Sequence, residues 1–454
     1  MTRKRDEFGT RSPAILLKEQ AIPASVGILV MSVYSIIDTI FVGLFVGSKG
    51  IAAGTVVMPI TFLIAGLGMA IGVGGGSIIS RAFGRGDEVF AGKVFGNQVT
   101  LTFTLSVLLT VIGLFFLEPV ILLFGGKGEV LDPAVTYFVI ILPSVPLLAW
   151  AIMSNYVIRA EGFPKLAMFT LFIPAVVNLI LDPLLIIVFD MGIAGAAYAT
   201  LISYIGAACY TALFFIRGKS QLVFSPSCFK PVSNIIRETA SLGSVTFVRQ
   251  STISLLAIVL NNSLFTYGGE QALAIYGIIN RLMLFTNFPV LGITQGFIPL
   301  AGYNYGAQLF DRVKTLIKLS IGSATTVAFI VFSLIMVFTP YIVSVFTTDA
   351  ELIEVSVPAV RMSFLAMPLI AVNFIGGAYY QAIGRTTPAM VLSLSKQGFF
   401  LIPLVLILPL YLGLTGIWLA FPAADVLAGI LTVVYAKSVG LKFDRTPTAA
   451  VEAN

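Results

Sequence analysis

Asp38 is the only charged residue in an apolar run from Ala21 to Val46, within the stretch VYSIIDTIFVG. A lone carboxylate in such a run has two uses: it bonds helices together, or it takes up and releases a small cation. Six other ionisable residues interrupt comparable runs: Asp182, Arg249, Arg281, Arg361, Lys396 and Asp425. Each costs about 2.5–3.5 kcal/mol near the middle of a bilayer, so each needs a partner or a wet cavity. The first half of the chain holds only the two aspartates, whereas the second holds four cations and one acid. A purely structural acid would come with a basic partner, so Asp38 and Asp182 point to ion handling.

Asp38 lies about 17 residues into the first run and Asp182 about 16 into the fifth, which puts them at one depth. Asn178 precedes Asp182 by one helical turn and faces the same way. Thr200 on the sixth run and Tyr137 on the fourth belong to the same half of the layer. Asp38, Tyr137, Asn178, Asp182 and Thr200 are thus expected to form a polar pocket in an apolar bundle. A dry pocket favours a proton shared between the two acids; a wetter one suits Na+ held by Asp38, Asn178 and Asp182. The residues alone leave both open. In the second half Lys396 and Asp425 are placed to pair. Arg249, Arg281 and Arg361 are left to bond carbonyls or to line a cleft, where they would favour anionic or zwitterionic cargo.

Other chemistry is excluded by what the chain lacks. Histidine is absent, which removes the usual proton carrier, zinc ligand and catalytic triad, and Cys209 and Cys228 are read as inert. No nucleophile elbow, P-loop or paired-carboxylate metal motif is present, so neither an enzyme nor a cofactor is expected.

The elements that carry these residues follow from composition. Of 454 residues 58% are hydrophobic and 11% charged, with mean hydropathy +1.00, against about 25% charged in a soluble domain. Twelve apolar runs recur, each long enough to cross about 30 Å of hydrocarbon as a helix. The expected class is an all-α integral membrane protein of twelve transmembrane helices. Net charge is +6, but 21 of 27 basic residues gather in the termini and even-numbered loops, so the charge is explained by membrane orientation and not by nucleic acid. Both termini are therefore expected in the cytoplasm, with the polar start MTRKRDEFGTR a retained tail.

The halves repeat. At an offset of 222, RAEGFPKLAM at Arg159 aligns with QAIGRTTPAM at Gln381; at 221, MGIAGAAYA at Met191 aligns with LGLTGIWLA at Leu412. Six helices per half make a parallel repeat, two bundles facing a cleft, the architecture of alternating-access transporters. The expected parts are residues 1–20 as N-terminal tail, 21–216 as first bundle, 217–238 as cytoplasmic linker, 239–436 as second bundle and 437–454 as C-terminal tail. The glycine-rich GLGMAIGVGGGS at Gly66 is read as a helix-packing surface, not a phosphate site. Pro23, fifteen residues before Asp38, is placed to couple a bend to the state of the acid.

Together AIPASVGILVMSVYSIIDTIFVG, SRAFGRGD, IRAEG, VVNLILDPLLI, GAAYATLIS and GITQGFIPLAGYNYGA, in that order, resemble the multidrug and toxic compound extrusion (MATE) family, above all its bacterial MepA-like branch. The resemblance implies an antiporter of a bacterial or archaeal plasma membrane, exporting drugs, dyes and amphipathic cations for H+ or Na+. It carries the coupling site onto Asp38, Tyr137, Asn178, Asp182 and Thr200, and the bending proline onto Pro23. Members with an acid on the seventh helix differ here, where the chain reads VTFVRQSTIS. A monomer surrounded by membrane lipid is expected. The alternatives on the same scaffold are a flippase or exporter of a lipid-linked or anionic substrate, and a transporter of the major facilitator type.

Overall fold

The computed structural model describes residues 6–218, 220–223, 225–347 and 349–438, and, at residues 40, 48, 49 and 51, the backbone alone. Arg3, Lys4, Arg5, Lys219, Lys442 and Arg445, used above to orient the chain, lie outside the described residues, as does the side chain of Lys49.

The spans are α1 Pro13–Phe45, α2 Ser48–Gly84, α3 Glu88–Phe115, α4 Gly128–Ala160, α5 Pro164–Val188 and α6 Gly192–Ile216. A single helical run, Ser233–Gly306, is broken at Gly269 (φ 61°, ψ −153°) into α7 and α8. Then follow α9 Phe310–Ser344, α10 Ala350–Ala382, α11 Thr386–Ile407 and α12 Pro409–Ser438. Helices this long form because hydrocarbon offers the backbone no partner but itself. The break at Gly269 brings the count to the expected twelve. Helix α1 begins eight residues earlier than the apolar run, because Pro13 takes the first turn, where its missing N–H costs nothing.

Backbone corners reproduce the repeat. Gly47, Gly162 and Gly192 have φ of 85°, 87° and 53°; their partners at offsets of 222 and 221, Gly269, Gly384 and Gly413, have 61°, 83° and 57°. Gly86 (78°) even falls on Gln308 (60°), a residue that tolerates the left-handed region poorly. Irregularities recur too: α4 and α10 each contain a 3-10 turn, at Leu142–Ser144 and Met367–Leu369, and α5 and α11 each contain a π segment, at Leu184–Val188 and Ser395–Leu401.

The halves meet at the face that carries both termini. There the glycines of α2 let backbone touch backbone: a Cβ on Gly74 would strike the Thr239 carbonyl of α7, and one on Gly84 the Tyr303 carbonyl of α8. Gly243 and Gly306 answer from the second half, against Ala70 and Arg81. Ser77 Oγ donates to the Gln381 carbonyl (2.7 Å), and Arg81 pairs with Glu238 (2.8 Å). This face is shut.

The linker and the described part of the N-terminal tail are docked on the bundles. Asn97 of α3 accepts at Oδ1 from Val232 N (2.7 Å) and donates to the carbonyls of Cys228 and Lys230, so the linker is strapped to the first half. Buried Glu161 accepts from Ser220 Oγ at 2.9 Å and from Gln221 N. At the start of the chain the helix Glu7–Thr10 is held by Arg312 and Asn304, both donating to the Phe8 carbonyl at 3.0 and 3.1 Å.

Gly74→Val places a branched side chain between α2 and α7 and is expected to cost about 1–3 kcal/mol of the closed arrangement. Spin labels on α2 and α7 at this face would report a longer distance than in the parent protein.

Candidate functional site

Asp38 and Asp182 meet. Asp38 lies seven residues from the end of α1 at Phe45 and Asp182 six from the end of α5 at Val188, both toward the face opposite the termini. Their carboxyl groups lie within interaction range of each other. Asp182 is 1% exposed and Asn178 fully buried, while Asp38 is half-buried. Two carboxyls this close can share one proton.

Asn178 orders the pocket. With its amide turned to satisfy both ends, Nδ2 donates to Asp182 Oδ2 (2.5 Å) and Oδ1 accepts from Thr200 N (3.3 Å). The reverse orientation puts Nδ2 3.3 Å from Thr200 Oγ1 but aims the amide oxygen at the carboxylate. We take the first, since it removes an acceptor–acceptor contact. Thr200 Oγ1 donates back to the Ala196 carbonyl (3.0 Å), and Tyr137 lies close by. Val42, Ile186 and Ala196 close an apolar cluster beside Tyr137.

Four helices therefore deliver the five expected residues to one place. Local structure explains the aim. Pro183 has no N–H to return to the preceding turn, so α5 loosens into its π segment directly after Asp182. Two residues escaped the sequence reading: Tyr34 and Tyr204 both lie within electrostatic reach of Asp38. The signal was available, because Tyr34 is one turn before Asp38 and Tyr204 one turn after Thr200. Among the described residues no cluster of three or more His, Cys, Asp or Glu forms a metal site.

Pro23 lies where α1 crosses α8. Gly292 and Gly296 of α8 admit the backbone of α1 at Ser25 and Ala21. Beside this contact an apolar cavity of about 260 Å³ is lined by Ile22, Val26, Leu29, Phe288 and Pro289.

The second half holds its charges differently. Lys396 Nζ lies 2.6 Å from Asp425 Oδ1, and both are largely buried. Arg361 is exposed, with Nε 3.4 Å from Thr339 Oγ1, and Arg281 is exposed. Arg249 reaches across to the first half, where its electrostatic partner is Tyr156 of α4. Arg159, one of the 21 basic residues assigned to the termini and even-numbered loops, is 2% exposed at the end of α4. Cys209 and Cys228 are free thiols.

Comparison with known proteins adds the following. A family model described as MatE matches residues 23–184 and 244–407. The multidrug export protein MepA of Staphylococcus aureus is 28% identical over 417 residues, covering 91% of this chain and 92% of that protein. MepA of Staphylococcus saprophyticus is 28% identical over 419 residues with the same coverage. Among solved structures, the outward-facing conformation of a multidrug resistance MATE family transporter matches with TM-score 0.93 at 24% identity, over 98% of this chain and all of that one. A MOP superfamily transporter from Pyrococcus furiosus, described as having a binding pocket of reverse polarity, matches with TM-score 0.91 at 24% identity over the same shares.

Asn178→Leu keeps the volume but withdraws the amide donor from Asp182. A loss of about 1–3 kcal/mol is expected, read as a lower midpoint of thermal unfolding in detergent. Adding Asp182→Asn should restore part of it, because the unmatched acid is then gone.

Proposed function

The chain belongs to the MatE family, and on that footing we propose that it exports drugs, dyes and other amphipathic organic compounds in exchange for protons admitted to the Asp38/Asp182 pocket. Family membership makes it a membrane transporter and not an enzyme. The export of organic compounds rests on the likeness to MepA, named for multidrug export.

The observation that carries the proton reading is the amide of Asn178. Its donor end faces Asp182 Oδ2 and its oxygen is occupied by Thr200 N. A Na+ between the acids would meet an N–H where it needs an oxygen. A proton fits the same contacts, because two neighbouring carboxyls can share one. The hydroxyls of Tyr34, Tyr137 and Tyr204 lie near the acids and can give or accept hydrogen bonds.

The basic face is the cytoplasmic one by the positive-inside rule, so this structure is shut toward the cytoplasm. Its pocket lies toward the outside, where protons arrive. Residues 21–216 and 239–436 are the bodies that rock against each other. A proton taken up by the acids removes repulsion between them and changes the bend that α1 prefers at Pro23. Drug release and proton entry are then linked through opposite preferences for the two conformations.

Asp38→Asn and Asp182→Asn are each expected to lower export driven by a pH gradient in proteoliposomes by the coupling factor, about 5- to 150-fold, while drug binding in detergent persists. Full-rate export by both variants defeats the assignment of the acids. Export driven by a Na+ gradient at equal pH on both sides would replace the proton with Na+.

A further inference from the structure

We propose that Arg159 and Tyr156 hold a small inorganic anion, the size of chloride, in a small cavity between the two halves near the terminal face. Arg159 and Tyr156 line this cavity from α4, and Gln295 and Pro299 line it from α8. About 20 Å³ is open to the centre of a water-sized sphere, room for one or two waters or one monatomic anion but not for an organic acid.

Its charge is out of balance. Arg159 Nε and Nη1 are buried without a hydrogen-bond partner, and Nη2 reaches only Asn155 Oδ1 at 3.4 Å. Among the described residues Arg159 makes no ion pair, and a second cation, Arg249, lies within electrostatic range of the same Tyr156. A buried guanidinium without a counter-charge costs several kcal/mol. An anion held by Nε and Nη1 supplies both the charge and the missing acceptors.

The other half shows the same position without the fault. At the 222 offset Arg159 falls on Gln381 and Pro299 on Ser77. Gln381 Nε2 donates to the Leu242 carbonyl and Thr246 Oγ1, both at 3.1 Å, and its own carbonyl accepts from Ser77 Oγ. Its amide nitrogen and its backbone carbonyl both meet protein there. In the first half a longer, charged side chain stands opposite a proline that offers no hydroxyl. The cavity is what remains.

The test is thermal unfolding of the purified, detergent-solubilised protein in sodium chloride, sodium bromide and sodium gluconate at equal sodium and pH. The expected result is a saturable rise in midpoint with chloride and bromide and none with gluconate, which is too large. Arg159→Gln, which installs the residue of the other half, should weaken the response about tenfold or more; Arg281→Gln should leave it intact. Identical midpoints in all three salts, or an undiminished response in Arg159→Gln, overturn the proposal. Where Arg159→Gln does not yield folded protein, crystals of the parent protein grown in bromide decide: an anomalous peak at Arg159 supports the site, and a map without one rejects it.

Discussion

A polar group in hydrocarbon that finds no partner within the protein finds none at all, and most of this molecule is arranged around that rule. The backbone obeys it by running in helices of twenty residues or more. Where a proline withdraws a donor, as Pro183 does, the ladder shifts into a π segment and does not end. Side chains obey it by meeting in small closed groups. Lys396 with Asp425 is one; Asp38 with Asp182, Asn178 and Thr200 is another. The second differs because two acids face each other without a cation; in the function proposed above, a mobile proton takes the place of a fixed counter-charge.

The halves share a backbone and divide the work. At the 222 offset Asp38, Asn178 and Asp182 fall on Leu260, Phe400 and Leu404, all packed in the apolar core of the second half. The position of Tyr204 alone stays polar, as Asp425 at the 221 offset, and there a lysine neutralises it. A duplicated bundle has thus kept its corners, including four matched left-handed turns, while one copy filled with hydrocarbon and the other kept an ionisable pocket.

Much of this was legible in the sequence. Twelve apolar runs, the repeat and the pocket residues are carried by pattern and spacing, because a membrane makes every buried charge conspicuous. The first helix was harder, since Pro13 to Gln20 mixes Lys18, Glu19 and Gln20 with apolar residues, and its Leu16 and Leu17 are recognisable as core only once packed. The linker looked like a free polar loop; its docking depends on Asn97, an uncharged residue whose partners are backbone carbonyls far along the chain. Tyr34 and Tyr204 were missed because a tyrosine in an apolar run is unremarkable until a carboxylate is known to lie one turn away. Arg159 was misjudged for the opposite reason: its place at a helix end made it look like an orienting charge, and only packing reveals that it is enclosed.

The glycine seam between α2 and α7/α8 has a further consequence. Its surfaces are helix backbones whose N–H and C=O groups are already bonded within their own helices, so parting them leaves no unmet polar group. Glycine also has no side chain to freeze on closing or to release on opening. The glycine contacts themselves thus gain little from staying shut and lose little by separating, and the few polar ties beside them, Arg81–Glu238 and Ser77–Gln381, do the holding. The seam behaves as a dry bearing with a latch, which suits the alternating cycle proposed above.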